Sequence, residues 1–136
     1  MRKKVLFLAA GIVLLCVAAW AYYAYQKPHT DARDIAPSAN VNAADLFNAY
    51  LSNETEADKK YTGKVISIKG TVNAVQKDST TVNILLSAGD KAPGGINCSF
   101  YNAQSFKVPA INSPITIKGR CTGFLLDVNV VDCVIE

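Results

Sequence analysis

The chain has 136 residues, of which 18% are charged, with a formal net charge of +3, four cysteines and one histidine. Four of the 14 basic residues flank an N-terminal apolar run, so ten remain against 11 acidic residues and the rest of the chain has a net charge of −1. That balance argues against a phosphate-backbone partner. Three isolated cysteines without a histidine beside them also exclude the usual structural zinc sites.

Residues 5–25 form an uncharged run directly after the basic residues at 2–4. About 20 apolar residues are enough to cross a bilayer. The distal end of the run is aromatic, as in an interfacial belt, with Trp20, Tyr22, Tyr23 and Tyr25. The run therefore predicts a transmembrane helix over 5–25. The positive-inside bias predicts residues 1–4 in the cytoplasm and the remainder in the periplasm or outside, as in a single-pass inner-membrane protein.

A cleaved signal peptide is the alternative for the same segment. Ala19-Trp20-Ala21 could serve as its cleavage site, and the rest of the chain would then be secreted. A lipoprotein signal at Cys16 is disfavoured because Leu15 stands where a small residue is expected. The length of the run and its aromatic end favour an uncleaved anchor.

Residues 26–40 predict a flexible linker, because they contain two prolines, alternating charges and few large apolar groups. His29, the single histidine, lies in this segment. We therefore expect it to be solvated and to serve neither as a metal ligand nor as a catalytic base.

Two short helices are predicted next, as the lead-in to a domain over 41–136. Asn42 is placed to cap the first, and Asn53, with Glu56 three residues later, is placed to cap the second. Gly63 ends the second helix. The apolar residues of the first helix recur at helical spacing, namely Ala43, Leu46, Phe47, Tyr50 and Leu51.

After Gly63 the apolar period changes to two, which predicts strands. The five segments are 64–78, 80–90, 94–102, 114–124 and 127–136. Gly70 and Gly119 fall inside the two longest, where glycine allows a sharp bend. The fold class is therefore mainly β with a helical lead-in (α+β), and the strand count predicts a five-stranded Greek-key OB-fold barrel.

A set of spaced residues in the domain carries a resemblance to known proteins. These residues are Leu46, Phe47, Tyr61, Gly63, Lys64, Gly70, Cys98, Gly119, Cys121, Gly123 and Cys133. From about residue 45 to 136 the chain is similar to the membrane-anchored OB-fold proteins of the tRNA anticodon-domain-like family. The resemblance implies the fold, and it implies almost nothing about activity.

The cysteines favour a disulfide in an oxidising compartment. A hairpin turning near residues 126–128 would place Cys121 opposite Cys133, and a short loop would close there. Because OB topology puts the last strand beside the third, a Cys98–Cys133 bridge is the alternative. We also keep open the case of three buried thiols.

No constellation for catalysis stands out, so we expect a non-catalytic binding module without a cofactor or a metal. OB-folds commonly bind ligands on the face of their second and third strands. The candidate ligand residues are Asn83, Lys91, Asn97, Ser99 and Tyr101. An oligosaccharide, a peptide or a protein is the favoured ligand. The alternatives are a rigid head that docks a membrane-complex partner and, against the charge balance, a nucleic-acid-binding domain.

Overall fold

The computed structural model describes residues 2–26, 32–101 and 107–136. His29 and residues 27–31 of the predicted linker lie outside the described residues. The helices are α1 (Arg2–Tyr25), α2 (Ala43–Ser52) and α3 (Glu54–Tyr61), with a 3-10 turn at Ala32–Asp34. The strands are β1 (Asn40–Asn42), β2 (Val65–Lys77), β3 (Thr81–Ser87), β4 (Gly95–Tyr101), β5 (Pro114–Phe124) and β6 (Val128–Ile135).

Five strands close into a barrel in the order β2, β3, β4, β6, β5 and back to β2. Neighbouring strands of the barrel are antiparallel except β4 and β6, which are parallel. Within the barrel, the long β2 pairs with two strands: Val65–Thr71 pairs with β5, and Val72–Lys77 pairs with β3. This is a five-stranded Greek-key barrel of the OB type, so the predicted barrel with its helical lead-in is confirmed.

The first helix, α1, runs through the predicted apolar segment. Among the residues that the structure describes, no helix combines the length with the apolar character that crossing a membrane requires. The segment 5–25 is helical as predicted, and this finding does not support the transmembrane role predicted for it.

The short strand β1 was not predicted from the sequence. It pairs in parallel with β2, with Asn40 opposite Ser67 and Asn42 opposite Lys69. Three residues are too few to give a periodic signal, so their extended conformation depends on β2 lying beside them. The Asn42 side chain donates to the carboxylate of Asp45 at 3.1 Å and caps no helix N–H, contrary to prediction.

The second predicted cap is confirmed, because Asn53 Oδ1 accepts a hydrogen bond from the backbone N–H of Glu56 at 3.2 Å. The two helices pack against the barrel as expected, and Leu46, Phe47 and Tyr50 are fully or almost fully buried. Tyr50 stacks on Phe124 of β5 with 5.7 Å between ring centroids. Aromatic packing therefore joins the lead-in to the barrel wall.

The Tyr50 hydroxyl extends this contact through a chain of hydrogen bonds. It lies 2.9 Å from Thr62 Oγ1, which in turn donates to Asp58 at 2.7 Å. Since the one Thr62 proton is used toward Asp58, Tyr50 is the donor in the first bond. Burial, followed by the neighbouring Cys121 thiol at 3.4 Å, raises the pKa of Tyr50 well above its ordinary value of 10.0.

Gly119 lies at an irregularity in the pairing of β5 with β6. The register shifts between Lys118 and Arg120, so that Asp132 and Cys133 of β6 together face Gly119. Asp132 adopts a φ of 53°, in the left-handed region that such an extra residue requires. The predicted bend at Gly119 is therefore a β-bulge.

The prediction that Cys121 faces Cys133 is wrong. The hairpin turns one residue earlier than expected, with Phe124 opposite Val128. A further register shift, between Cys121 and Gly123, then places Cys121 opposite Val130. All four cysteines are free thiols. The alternation of apolar and polar residues reveals neither of the two register shifts between β5 and β6.

Gly119→Ala should destabilise the barrel by about 1–3 kcal/mol, because overpacking a filled core forces its neighbours apart. The added Cβ would lie 2.6 Å from Val130 Cγ1 and 2.7 Å from Cys133 Sγ. Urea unfolding of the full chain, followed by near-UV circular dichroism, measures the loss. The matched change Gly11→Ala, which meets nothing within 4 Å, is the control, and equal midpoints for the two variants would contradict the packing argument.

Tyr50→Phe should cost about 1 kcal/mol at neutral pH, because it removes the hydrogen bond to Thr62. It should also flatten the alkaline pH dependence. In the wild type the unfolded tyrosine releases its proton near its ordinary pKa while the folded one retains it, so the free energy of unfolding falls as pH rises above about 10.

Urea midpoints measured between about pH 9 and pH 11 test this second effect. Tyr25→Phe, at a side chain that is 91% exposed, is the control and should follow the wild-type curve. A Tyr50→Phe curve parallel to the wild type would show that Tyr50 does not carry the dependence.

Candidate functional site

Alternate residues of β3 and β4 point away from the barrel core, and three of the predicted ligand residues lie among them. The register places Asn83 opposite Ser99 and Leu85 opposite Asn97. All four side chains are half-buried. The neighbouring strands extend this face, because Gln76 of β2 lies opposite Asn83.

Hydrogen bonds join the polar side chains of this face into two neighbouring pairs, which together form a row, called here the amide row. Ser99 Oγ donates to Asn83 Oδ1 at 2.7 Å, and Asn97 Nδ2 donates to Asn129 Oδ1 at 3.4 Å. Asn129 Nδ2 in turn donates to the backbone carbonyl of Asp127 at 3.2 Å. A primary amide has two donor hydrogens and an acceptor oxygen, so these oriented amides keep hydrogen-bonding capacity for a ligand.

A cavity of about 210 Å³ opens on the same face. Its lining residues are Ala74, Gln76, Asn83, Leu85, Asn97 and Asp127. Among these described lining residues, none carries a positive charge. The cavity therefore combines amide groups with a small apolar surface, from Ala74 and Leu85.

Asp127 fixes the loop between β5 and β6 at the edge of this cavity. Its Oδ1 accepts a hydrogen bond from the backbone N–H of Gly95 at 2.7 Å. The adjacent Gly94 leaves no room for a side chain, because a Cβ there would lie 2.5 Å from the carbonyl oxygen of Leu126. The Asp127 carboxylate thus anchors the turn between β5 and β6 on the start of β4.

The other two predicted ligand residues lie elsewhere. Tyr101, at the end of β4, is 49% exposed and lines a second cavity of about 350 Å³ together with Arg33 and Lys107. Lys91 is exposed in the loop between β3 and β4 and lines neither of these two cavities. The structure therefore brings together Asn83, Asn97 and Ser99 and separates them from Tyr101 and Lys91.

Sequence reasoning missed Gln76 and Asn129 on this face. Both occupy outward positions of alternating strands, so the signal was present in the pattern. Gln76 and Asn129 were not assigned to the site because the prediction considered only the second and third barrel strands, β3 and β4. The position of Asn129 beside Asn97 depends on the parallel pairing of β4 with β6.

The family model described as tRNA_anti-like matches residues 1–135. Among solved structures, the chain is similar to one described as a "putative nucleic acid-binding lipoprotein" from Klebsiella pneumoniae subsp. pneumoniae MGH 78578. The TM-score is 0.61, with 81% of this chain and 99% of that chain covered at 16% sequence identity, a likeness that establishes the fold alone. No curated protein matches the chain significantly.

Proposed function

This chain belongs to the tRNA_anti-like family, as its sequence pattern predicted, and we propose that it is a non-catalytic binding module for an uncharged oligosaccharide. The ligand would lie across the outer face of β3 and β4. The observation that carries the proposal is the amide row beside the 210 Å³ cavity, made of the hydrogen-bonded pairs Asn83–Ser99 and Asn97–Asn129.

The chemistry of the row supports this ligand class. Sugar hydroxyls both donate and accept hydrogen bonds, as amides do. The C–H faces of sugar rings suit apolar surface of the kind that Ala74 and Leu85 offer. Amide and hydroxyl groups that are not activated neither shuttle protons near neutral pH nor attack a substrate, which supports binding without catalysis.

We propose further that the module is membrane-associated through α1, on the outer side of the cytoplasmic membrane. Helix α1 leaves large apolar side chains exposed along its length, including Phe7 at 79%, Leu14 at 73% and Trp20 at 74%. Such a surface is stabilised by an apolar environment. The Klebsiella neighbour is itself described as a lipoprotein.

Nucleic-acid binding is the second candidate. It draws on the printed description of the Klebsiella neighbour and on the second cavity, where the half-exposed Tyr101 ring lies with Arg33 and Lys107. Aromatic stacking beside cations is how many single-strand binders hold nucleotides. The residues of the amide row carry no positive charge. Nucleic-acid binding therefore ranks below oligosaccharide binding.

A docking role for the barrel rests on a different feature, the turn between β5 and β6. Leu125 and Leu126 are each 84% exposed there. Two adjacent exposed leucines suit contact with a protein partner. Crosslinking in intact membranes followed by mass spectrometry tests this role, and it is abandoned if no protein neighbour recurs.

A titration of the detergent-solubilised full chain tests the oligosaccharide proposal. Calorimetry with a linear hexamer of N-acetylglucosamine should show binding that changes little with salt, because no ion pairs form. Asn83→Ala and Asn97→Ala should each weaken it about tenfold, equivalent to one lost hydrogen bond of about 1.4 kcal/mol.

The matched control is Asn48→Ala, an exposed position on α2, which should bind as the wild type does. A single-stranded DNA 12-mer is titrated in parallel. Salt-sensitive binding of the DNA without binding of the hexamer would transfer the function to the second candidate. Equal affinities of Asn48→Ala and Asn97→Ala for the hexamer would remove the amide row from the site.

A further inference from the structure

Two buried thiols lie together inside the barrel, at the seam between β4 and β6. Cys98 is fully buried and Cys133 is 6% exposed. The parallel register pairs Cys98 with Val130. Cys133 Sγ donates to the backbone carbonyl of Val130 at 3.5 Å. The Cys133 thiol also forms a hydrogen bond with the Cys98 thiol, so the two sulfurs lie close together.

The β-bulge at Gly119 produces this arrangement. The extra residue, Asp132, turns the end of β6 so that Cys133 points into the barrel. Gly119 provides the space, because a Cβ there would lie 2.7 Å from Cys133 Sγ. Burial raises the pKa of the Cys133 thiol, and the next largest cause is its hydrogen bond with the Cys98 thiol.

A route from solvent reaches this pair. Cys133 lines the 350 Å³ cavity that also contains Arg33, Lys107 and the Tyr101 side chain. Arg33 and Lys107 line the same cavity, so their positive charge favours the entry of an anionic disulfide such as oxidised glutathione. Because burial raises the pKa of Cys133, its reactive thiolate forms more readily at alkaline pH. Cys98 lies behind Cys133, fully enclosed.

We propose that Cys98 and Cys133 are a disulfide-forming site that crosslinks β4 to β6, with Cys133 reacting first. The Cys133 thiolate attacks a disulfide of low molecular weight, a mixed disulfide forms and one thiol leaves. Cys98, as thiolate, then attacks the Cys133 sulfur and releases the second thiol. Two thiols are oxidised and one external disulfide is reduced to two thiols, so electrons and protons balance.

Cys121 stays outside this chemistry. Its sulfur lies 3.4 Å from the Tyr50 hydroxyl. In the hairpin of β5 and β6, Cys121 lies opposite Val130. A disulfide between Cys121 and Cys133 would require a different pairing register of β5 with β6. Cys121 therefore provides the matched control.

The test uses the full chain in detergent, equilibrated with oxidised and reduced glutathione at several ratios, quenched with acid and alkylated under denaturing conditions. Digestion before aspartates separates Cys121 from Cys133, because Asp127 lies between them and Asp132 immediately precedes Cys133. Trypsin releases Cys98 between Lys91 and Lys107. Mass spectrometry of the wild type then identifies the linked pair without any substitution.

We expect a Cys98–Cys133 linked peptide, also in Cys121→Ser, and a glutathione adduct on Cys133 in Cys98→Ser. The melting temperature of the oxidised protein should rise by an amount on the order of 10 °C, because the bond closes a long loop. A link that contains Cys121, or full alkylation of Cys98 and Cys133 at every glutathione ratio, would overturn the proposal.

Discussion

The parallel pairing of β4 with β6 is the contact on which the rest of the molecule depends. Only three residue pairs form it, from Ile96 with Val128 to Cys98 with Val130, yet it closes the sheet into a barrel. Without it, β3 and β4 would end in an open edge with unpaired backbone groups. The same contact brings Asn129 beside Asn97 on the outer face and Cys133 beside Cys98 on the inner face. The candidate ligand site and the thiol pair thus lie on opposite faces of the same strand contact.

The seam is short, and its two ends are reinforced by different means. At the loop end, the Asp127 carboxylate accepts the backbone N–H of Gly95 and ties the last hairpin to the start of β4. At the other end, the bulge at Gly119 turns Cys133 inward. The proposed disulfide would add a covalent bond to the strand contact that has the fewest residue pairs in the described part of the barrel.

The helical lead-in acts on another part of the barrel. Phe47 and Tyr50 pack on Phe124 at the distal end of β5, and the Tyr50 hydroxyl continues through Thr62 to Asp58. The helices therefore cover that part of the wall and leave the outer face of β3 and β4 open. Under the proposed function, this open face would need little rearrangement to accept a ligand.

Much of the fold was predictable from the sequence because it is encoded locally. Apolar residues spaced by two or by three to four determined the five barrel strands and two helices, and Asn53 with Glu56 marked a helix start within four residues. Three of the five candidate ligand residues came together because they alternate on adjacent strands joined by one hairpin. Family membership was indicated by a resemblance to the family at particular residues between Leu46 and Cys133, and the family model confirms it.

What only the tertiary structure decided involves residues far apart in sequence. Cys121 lies opposite Val130, not opposite Cys133 as predicted, because the turn lies one residue earlier and the register shifts between Cys121 and Gly123. Neither feature can be read from the alternation of side chains. Asn129 joined the amide row through a strand contact that spans about 30 residues of chain, and β1 became a strand only because β2 lies beside it. The sequence alone determined which residues face inward or outward, since that depends on neighbours along the chain. Which inward or outward residues meet was decided by closure of the barrel, since that depends on all strands packing at once.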